Sequence, residues 1–527
     1  MSRKAAVFLV LLILAPVAVY WGTVFHDYGF RDDYAHLREV NEEPGKLLRF
    51  TTSNGRPVYG VLLESSVRLL RGVPDLPWLR FTCVLFLAAT GVALWALLRR
   101  RGWSDAEAAA IGLCVAFLPA AQVFASWAIT WPLALALLLA VAGFALVEWR
   151  LARPGWTRVA AVLCGGLLYL IAGLIYQSNA LFAVVPIAAV LLLRPGRGVA
   201  QHARWTTLHL SILCVALLIG FMLVELTFDA GVVQQSERMH FETNVLAKLA
   251  WFFKQPVANA LALFALRDKF NTGAAFFWGA AALSVVVISF GWRFGPATWS
   301  HRARWLVCAL LLPFVAHGVS LASAAWVNGY RTLFGLGGLV IVLIVFGLRS
   351  LHVSGRIPLR AQHAALGAFV AVAAASAGYN AYALIAEPQS LEWTAMREAA
   401  ERVPVDVDTS VYIITPLLSE RSTRRLFSDE FGSLSSDSDW VPKEMFKTAM
   451  RERLPEGLPA ECSFTLTAGH DVPDAASDFD AVIDLRRFKD ELVEQPGFVA
   501  STAPRAESCP LRRVANGATV AATTAHR

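Results

Sequence analysis

Long apolar stretches separated by short polar loops dominate the chain from its first residues to about residue 386. A membrane-spanning helix needs roughly 20 mostly apolar residues. On this criterion we predict about eleven spans, near residues 5–24, 78–98, 106–125, 129–148, 158–177, 180–193, 205–228, 272–292, 304–325, 331–349 and 364–386. The pattern therefore predicts an all-α polytopic membrane bundle.

Two longer loops contain amphipathic stretches, over 58–70 and 245–264. Their apolar residues fall at helical spacing and face charged ones, a pattern typical of helices that lie in the membrane interface. Simple packing of a folded loop explains the same pattern, and the sequence leaves both interpretations open.

Arginine-rich loops alternate along the chain with loops that contain few basic residues. Because Lys and Arg are enriched in cytoplasmic loops, this alternation predicts a cytoplasmic N-terminus and an outward-facing tail. The first long loop, 25–77, and the later loop 229–271 then both lie outside. The arginines that set this orientation are Arg99, Arg100, Arg101, Arg150, Arg153, Arg158, Arg194, Arg197, Arg204, Arg293, Arg302, Arg304, Arg349, Arg356 and Arg360.

The chain changes character at Glu387-Pro388, where the charged fraction rises. Short apolar runs starting at Val411 and Ala481 predict buried strands, and 389–402 and 440–453 predict helices between them. We therefore expect a transmembrane domain over 1–386 and a small extracytoplasmic α/β domain over 387–527, with a flexible end after about residue 503. In that compartment Cys462 and Cys509 could form a disulfide.

Composition supports a membrane protein. Of 527 residues, 56% are hydrophobic and 17% charged, and the mean hydropathy is +0.51, whereas soluble domains average about 45–50% apolar and 25% charged residues. The net charge of +7 comes from clusters between apolar stretches, which argues against nucleic-acid binding. No Walker loop, Rossmann fingerprint, nucleophile elbow or zinc motif is present.

The run from Phe30 to His36 follows the first span directly and contains adjacent carboxylates, Asp32 and Asp33. Charges near a membrane are costly to desolvate and are often functional. Sugar transfer to a hydroxyl needs a base, commonly a carboxylate, and the second carboxylate could orient the acceptor or bind a cation. If the run is helical, Asp32 and His36 share a face while Asp33 points elsewhere. An acidic helix cap is the structural alternative.

Two arginines at predicted outer positions could bind a phosphate. Arg56 follows the turn-forming pair Asn54-Gly55 and precedes a proline that can start a helix. It could instead pair with Asp32 or Asp33. Arg331 lies beside Asn328 and Tyr330 at the outer start of a late span, where it could stabilise a leaving phosphate or simply reach the interface.

Further polar residues lie at predicted outer positions. Tyr176 and Gln177 end a span, and hydrogen-bonded helix packing explains them nearly as well as a site does. Lys254, in the second long loop, could assist a lipid phosphate.

The chain resembles the GT-C class of membrane glycosyltransferases. The run Asp32-Asp33-Tyr34, together with Asn54-Gly55-Arg56-Pro57, is most similar to the glucosyltransferase II type that modifies bacterial O-antigen. Tyr176-Gln177 and the outward Arg331 are compatible with that type. The resemblance covers about the first 390 residues and leaves the tail unmatched.

The resemblance implies an enzyme of the bacterial cytoplasmic membrane that takes a sugar from a polyprenyl-phosphate donor on the outer leaflet. It implies a glycan, lipid or protein of the cell envelope as acceptor. The base of the class maps to Asp32 or Asp33, and its phosphate-binding residue maps to Arg331 or Arg56. Because metal dependence varies within the class, the resemblance implies no particular cofactor, and a requirement for a divalent cation stays open.

Three other functions fit parts of the sequence. A glycan polymerase or ligase would also use outer loops and lipid-linked sugars, but would rely on arginines rather than an acidic pair. A transporter or flippase of lipid-linked glycans is expected to carry inverted repeats and charged or broken helices at mid-membrane. A receptor-like assembly protein would explain the tail and leave the acidic pair unexplained.

Overall fold

The protein is described from a computed structural model over residues 3–151, 155–195, 198–268, 273–327, 329–416, 427, 429–455, 457, 462–473 and 478–486, and for the backbone alone over 498–500. The chain forms two compact units. The first comprises Met1–Trp393 and Arg421–Ser435, and the second comprises Thr394–Glu420 and Ser436–Arg527.

The division between the units differs from the boundary expected at residue 387. The helical stretch Leu359–Arg402 passes through residue 387 without a break, and the division falls after Trp393. In addition, the segment Arg421–Ser435 belongs to the first unit although it lies within the predicted outer domain. The charge pattern could not reveal this, because the segment is as polar as its surroundings.

The first unit is helical. Its α-helices are Arg3–Val24, Asp32–Glu42, Lys46–Ser53, Pro57–Val67, Leu76–Arg99, Asp105–Ala116, Pro119–Ser126, Trp131–Arg150, Trp156–Ile175, Gln177–Ala180, Val184–Leu193, Val199–Asp229, Val245–Phe252, Ala258–Ala262, Ala274–Phe294, Trp299–Leu306, Leu312–Ala316, Gly318–Ala322, Phe334–Val353, Leu359–Ala381 and the start of Glu387–Arg402. Short π-helical segments join some of these, at Phe253–Val257, Val307–Leu311 and Tyr382–Ala386.

Among the described residues, eight helices are long and apolar enough to cross a membrane, or nine if one bent pair counts as a span. The expected number of eleven is therefore not confirmed. The apolar stretch predicted at 180–193 forms only a shorter helix, Gln177–Leu193. The stretch predicted at 304–325 is divided by the π-helical segment Val307–Leu311 and ends its second helix at Ala316.

The bent pair, Asp105–Ala116 and Pro119–Ser126, changes direction by 52°. Pro119 causes the break because proline disfavours helical geometry in the residue before it, and Leu118 is extended. The carbonyl groups freed at the break accept hydrogen bonds from buried side chains: Ala116 from the Tyr20 hydroxyl at 3.0 Å and Phe117 from the Gln122 amide at 2.9 Å. The break is thus stabilised within the bundle.

The arginine-rich loops, which the sequence predicts to be cytoplasmic, meet at one end of the helices. Arg101 and Arg194, from different loops, both pair with Glu148 at 3.2 Å. Arg349 pairs with Glu107 at 2.6 Å. The residues discussed below lie at the opposite ends of these helices, so the alternation of loops seen in the sequence corresponds to two distinct ends of the bundle.

At the other end, a buried arginine fixes the loop after the first helix. The Arg80 guanidinium donates to the carbonyl oxygens of Val24 at 3.0 Å, Tyr28 at 2.9 Å and His26 at 2.6 Å. It is fully buried and lies 4.1 Å from the centre of the Tyr28 ring. Arg80 therefore sets the position from which the acidic run begins.

We expect Arg80→Met to destabilise the protein strongly, because three buried carbonyl groups lose a charged donor and each such bond contributes about 1.5–3 kcal/mol. Arg80→Lys should be intermediate, since one ammonium cannot reproduce the planar fork. Thermal melting of the detergent-purified protein measures the effect. A melting temperature for Arg80→Met within 2 °C of wild type, on the scale of roughly 2–4 °C per kcal/mol, would contradict this role.

The second unit contains four strands: β1 (Thr409–Ile414), β2 (Phe464–Gly469), β3 (Ala481–Asp484) and β4 (Phe498–Ala500). They form one sheet in the order β2-β1-β3-β4. β1 is parallel to both β2 and β3, whereas β4 is antiparallel to β3. The helix Val441–Arg453 connects β1 to β2 in sequence, and its Phe446 packs on Phe464 of β2. The two predicted strands correspond to β1 and β3, and both predicted helices are present.

The cysteines divide between the units. Cys462 is disulfide-bonded, while Cys509 lies outside the described residues. Five cysteines of the apolar stretches are free: Cys83, Cys114, Cys164, Cys214 and Cys308.

Candidate active site

The acidic run forms the start of the helix Asp32–Glu42. Arg31 precedes it with a φ of 49°, a conformation that is strained for a residue other than glycine. Because Asp32 and Asp33 are adjacent in this helix, their side chains point in different directions. One carboxyl group is buried in the bundle and the other is half-buried.

Asp33 is buried and holds backbone in place. One carboxyl oxygen accepts from the Phe30 N–H at 2.9 Å, and the other accepts from the Ile129 N–H at 3.2 Å. Burial raises the pKa of Asp33 to about 6, against the opposing effect of these hydrogen bonds and of the Arg80 charge. Because both oxygens have backbone partners, Asp33 is a structural cap across two loops.

Asp33 should make stability depend on pH. Between pH 4 and pH 6 the folded state holds a proton on Asp33 that the unfolded state releases, so stability falls as pH rises through this window, by about 3 kcal/mol. Asp33→Asn cannot titrate, and its amide can accept only one of the two N–H bonds. We expect a lower melting temperature with a flatter pH dependence. Equal pH slopes for Asp33→Asn and wild type in thermal melts would contradict this assignment.

Asp32, in contrast, makes no hydrogen bond or ion pair among the described residues. Its side chain is half-buried. Its charge raises the pKa values of Arg331 and Tyr59, which places the carboxylate within electrostatic reach of both. Tyr59 is itself fixed, because its hydroxyl donates to the Ile129 carbonyl at 3.2 Å. Asp32 is thus a carboxylate available to a ligand.

Arg56 lies beside an aromatic ring in the same site. Gly55, with a φ of 76°, turns the chain between the helix Lys46–Ser53 and the helix that starts at Pro57. The Arg56 guanidinium lies 4.5 Å from the centre of the Tyr176 ring, and its buried Nε has no hydrogen-bond partner. Burial lowers the pKa of Arg56, and the charges of Arg331 and Arg238 lower it further. No ion pair joins Arg56 to Asp32 or Asp33 among the described residues.

Arg331 lies in the short 3-10 turn Tyr330–Thr332, just before the helix Phe334–Val353. Its Nη1 is 3.2 Å from a carboxyl oxygen of Glu430, and the guanidinium is 5.3 Å from the Trp127 ring centre. Burial would lower the pKa of Arg331, but Glu430 and Asp429 outweigh burial and raise it. The side chain keeps a quarter of its surface exposed, 25%, so a ligand can reach it.

Two carboxyl groups beside Arg331, those of Asp429 and Glu430, were not predicted from the sequence. The Tyr330 N–H donates to Asp429 at 2.6 Å, and Glu430 is fully buried. Burial and the neighbouring Glu430 raise the pKa of Asp429, whereas Arg331 overcomes burial and lowers the pKa of Glu430. An adjacent acidic pair was a weak signal in a polar tail, and nothing in the sequence indicated that it returns to the first unit.

Two predicted residues, Tyr330 and Lys254, contact the backbone or side chain of Arg267. The Tyr330 hydroxyl accepts from the Arg267 N–H at 2.8 Å, and its ring packs on Phe431. Lys254 is an exposed residue of the π-helical segment Phe253–Val257. The backbone carbonyl of Lys254 accepts a hydrogen bond from the Arg267 guanidinium at 3.1 Å. Asn328 lies outside the described residues.

The remaining predicted residues also have local partners. The His36 Nδ1 is 3.7 Å from Glu39, and the Asn54 amide donates to the Phe50 carbonyl at 2.9 Å, which ends a helix. The Gln177 amide donates to the Gly55 carbonyl at 2.6 Å. Gln177 therefore fixes the turn that carries Arg56, while its neighbour Tyr176 supplies the ring beneath the guanidinium.

A small, mainly apolar cavity lies beside Tyr330. Its walls are Leu118, Pro119, Ala120, Asn259, Ala260, Leu263, Tyr330, Leu333 and Gly337. Asn259 is buried, and neither polar atom of its amide has a hydrogen-bond partner. Within the described ranges, no group of three or more His, Cys, Asp or Glu residues is arranged to hold a metal ion.

The chain is similar in structure to a known protein. No protein-family model and no curated protein matches the chain. The crystal structure of ArnT from Cupriavidus metallidurans bound to undecaprenyl phosphate is similar over 92% of this chain and 93% of that one, at 11% sequence identity and a TM-score of 0.42. A likeness at this level assigns no activity, so function has to be inferred from the residues of the site.

Proposed function

We propose that the protein is a membrane glycosyltransferase that moves a sugar from a polyprenyl-phosphate donor to a hydroxyl of a cell-envelope glycan, lipid or protein. The observation that carries the proposal is that the carboxylate of Asp32, which has no partner among the described residues, lies within electrostatic reach of Arg331, and that Arg331 in turn lies within electrostatic reach of Arg56. A base and an anion-binding group are the two components that such a transfer requires.

In the proposed reaction, Asp32 accepts the proton of the acceptor hydroxyl as its oxygen forms a bond to the anomeric carbon. The bond from that carbon to the phosphate oxygen breaks, and its electron pair remains on the phosphate. Arg331 stabilises the charge that develops there, because a guanidinium keeps its charge and can bind two phosphate oxygens. The proton on Asp32 then returns to solvent.

Arg56 and Tyr176 have a second role in this proposal. The unpartnered Nε of Arg56 offers a donor to a phosphate or a sugar hydroxyl, and the Tyr176 ring holds the guanidinium flat. These residues extend the proposed donor site without adding a catalytic group.

We place the site on the outer face of the bacterial cytoplasmic membrane, with a cytoplasmic N-terminus and an extracytoplasmic second unit. The disulfide at Cys462 supports an oxidising compartment for that unit. The ion pairs of Arg101, Arg194 and Arg349 at the opposite end support a cytoplasmic location for that end.

Transport of lipid-linked glycans is the second candidate, because the broken helix Asp105–Ser126 is a feature of many transporters. Proteoliposomes separate the two functions. With labelled polyprenyl-phosphate sugar in the outer leaflet and acceptor added outside, a transferase gives labelled acceptor, whereas a flippase moves label to the inner leaflet without forming product. Movement of intact donor with no transfer from any donor would overturn the proposal.

A further inference from the structure

The segment 429–435, here called the acidic turn, is an integral part of the site although it comes from the tail. The Gly432 N–H donates to the Leu384 carbonyl at 2.7 Å, and the Gln389 amide donates to the Ser433 carbonyl at 2.7 Å. The Arg31 guanidinium donates to the Ser433 hydroxyl at 3.0 Å. Because the first unit holds the turn at several points, its carboxylates are fixed features of the site.

The acidic turn places a buried negative charge, that of Glu430, next to the Arg331 guanidinium. Glu430 has no exposed surface, and neither of its carboxyl oxygens makes a well-formed hydrogen bond among the described residues. One of these oxygens is 3.2 Å from Arg331. Burial and Glu430 raise the pKa of the neighbouring Asp429, whereas Arg331 overcomes burial and lowers the pKa of Glu430, so the negative charge of this acidic pair resides on Glu430. Burying a charge costs stability.

Resting on the proposed function, we propose that Glu430 determines how much negative charge the phosphate site accepts. It favours the singly charged phosphodiester of the donor over the doubly charged phosphomonoester that transfer releases. Glu430 is a positioning residue in this role: it acts on the phosphate through Arg331 and does not react.

The donor carries less negative charge than the polyprenyl phosphate that transfer releases. The donor phosphate is a diester with one negative charge, while the released polyprenyl phosphate is a monoester whose second ionisation occurs at a pKa of about 6. At neutral pH the product therefore gains negative charge close to Glu430. Like charges a few ångströms apart inside a protein repel by enough to change affinity tenfold or more. The repulsion would favour release of the product.

Binding of two ligands to the purified full chain tests this role. The probes are polyprenyl phosphate and its methyl phosphodiester, compared at one pH for wild type, Glu430→Gln and Glu237→Gln. Glu237 is an exposed carboxylate in the loop next to Arg238 and serves as the matched control. We expect Glu430→Gln to raise the affinity for the monoester relative to the diester at least tenfold, and Glu237→Gln to leave the ratio unchanged.

A ratio for Glu430→Gln within twofold of wild type would overturn the proposal. Because both ligands are measured on the same variant, a general loss of folded protein does not change the ratio. If Glu430→Gln does not fold, wild type alone decides: it should bind the diester at least as tightly as the monoester, and a tenfold preference for the monoester contradicts the role. Sugar transfer by wild type is measured separately. If wild type transfers no sugar, the proposed function is wrong. If it transfers sugar but the affinity ratio is unchanged in Glu430→Gln, only the role proposed for Glu430 is wrong.

Discussion

Replacing Asp32 with Asn should lower the rate of sugar transfer by about 10²–10⁴-fold, the range that a positioned general base contributes. The amide is nearly the same size but cannot accept the acceptor proton. The melting temperature should stay within about 2 °C of wild type, because Asp32 makes no hydrogen bond or ion pair among the described residues. Initial rates in detergent, at saturating donor and acceptor, measure the effect.

Asp33→Asn is the matched control for Asp32→Asn, since it changes the neighbouring carboxylate in the same way. Asp33 accepts two buried N–H bonds, so its loss should lower stability by about 1–3 kcal/mol while folded protein retains transfer. The opposite pattern, with Asp33→Asn folded and inactive and Asp32→Asn active, would assign the base to Asp33.

Replacing Arg331 with Met should lower kcat/KM for the donor by about 10²–10³-fold, the loss typical of removing one group that stabilises developing charge. Arg331→Lys should recover part of this activity, because it restores the charge without the two-pronged geometry. Steady-state kinetics with varied polyprenyl-phosphate sugar separate the effect on donor binding from the effect on kcat.

Folding has to be separated from catalysis at Arg331, because its loss leaves Glu430 buried and unpaired. Breaking a buried pair costs about 3–5 kcal/mol. The double variant Arg331→Met/Glu430→Gln removes both charges and should restore much of the stability but none of the transfer. Activity of the double variant close to wild type would exclude Arg331 as the phosphate-binding residue.

The sequence predicted the helical bundle and the two ends of its helices because both depend on local patterns. Runs of apolar residues and clusters of arginine are visible without tertiary information. The number of spans was less predictable, because the π-helical segment Val307–Leu311 and the bend at Pro119 depend on how neighbouring helices satisfy the backbone.

The roles of Asp32 and Asp33 could not be separated from the sequence. They are adjacent, and the difference arises from contacts with distant residues: Asp33 binds the N–H of Ile129, 96 positions away. The same limit explains why Glu430 was missed. Its partner Arg331 lies in another part of the chain, and no local periodicity links the two.

Arg56 shows a partial success of the same reasoning. The Asn54-Gly55 turn and the helix start at Pro57 were predictable from turn and cap chemistry. The contact partner of Arg56 was not predictable: its guanidinium lies over the Tyr176 ring, and no acidic residue in the described part of the chain pairs with it.

Sugar transfer with Asp32 as the base is tested most directly by following both products of one reaction. A donor labelled differently in its sugar and its polyprenyl phosphate is incubated with acceptor and either wild type or Asp32→Asn. We expect wild type to release polyprenyl phosphate and form glycosylated acceptor in equal amounts, and folded Asp32→Asn to form neither at a comparable rate. Full transfer by Asp32→Asn, or no transfer by wild type from any donor in a broad panel, would contradict this expectation.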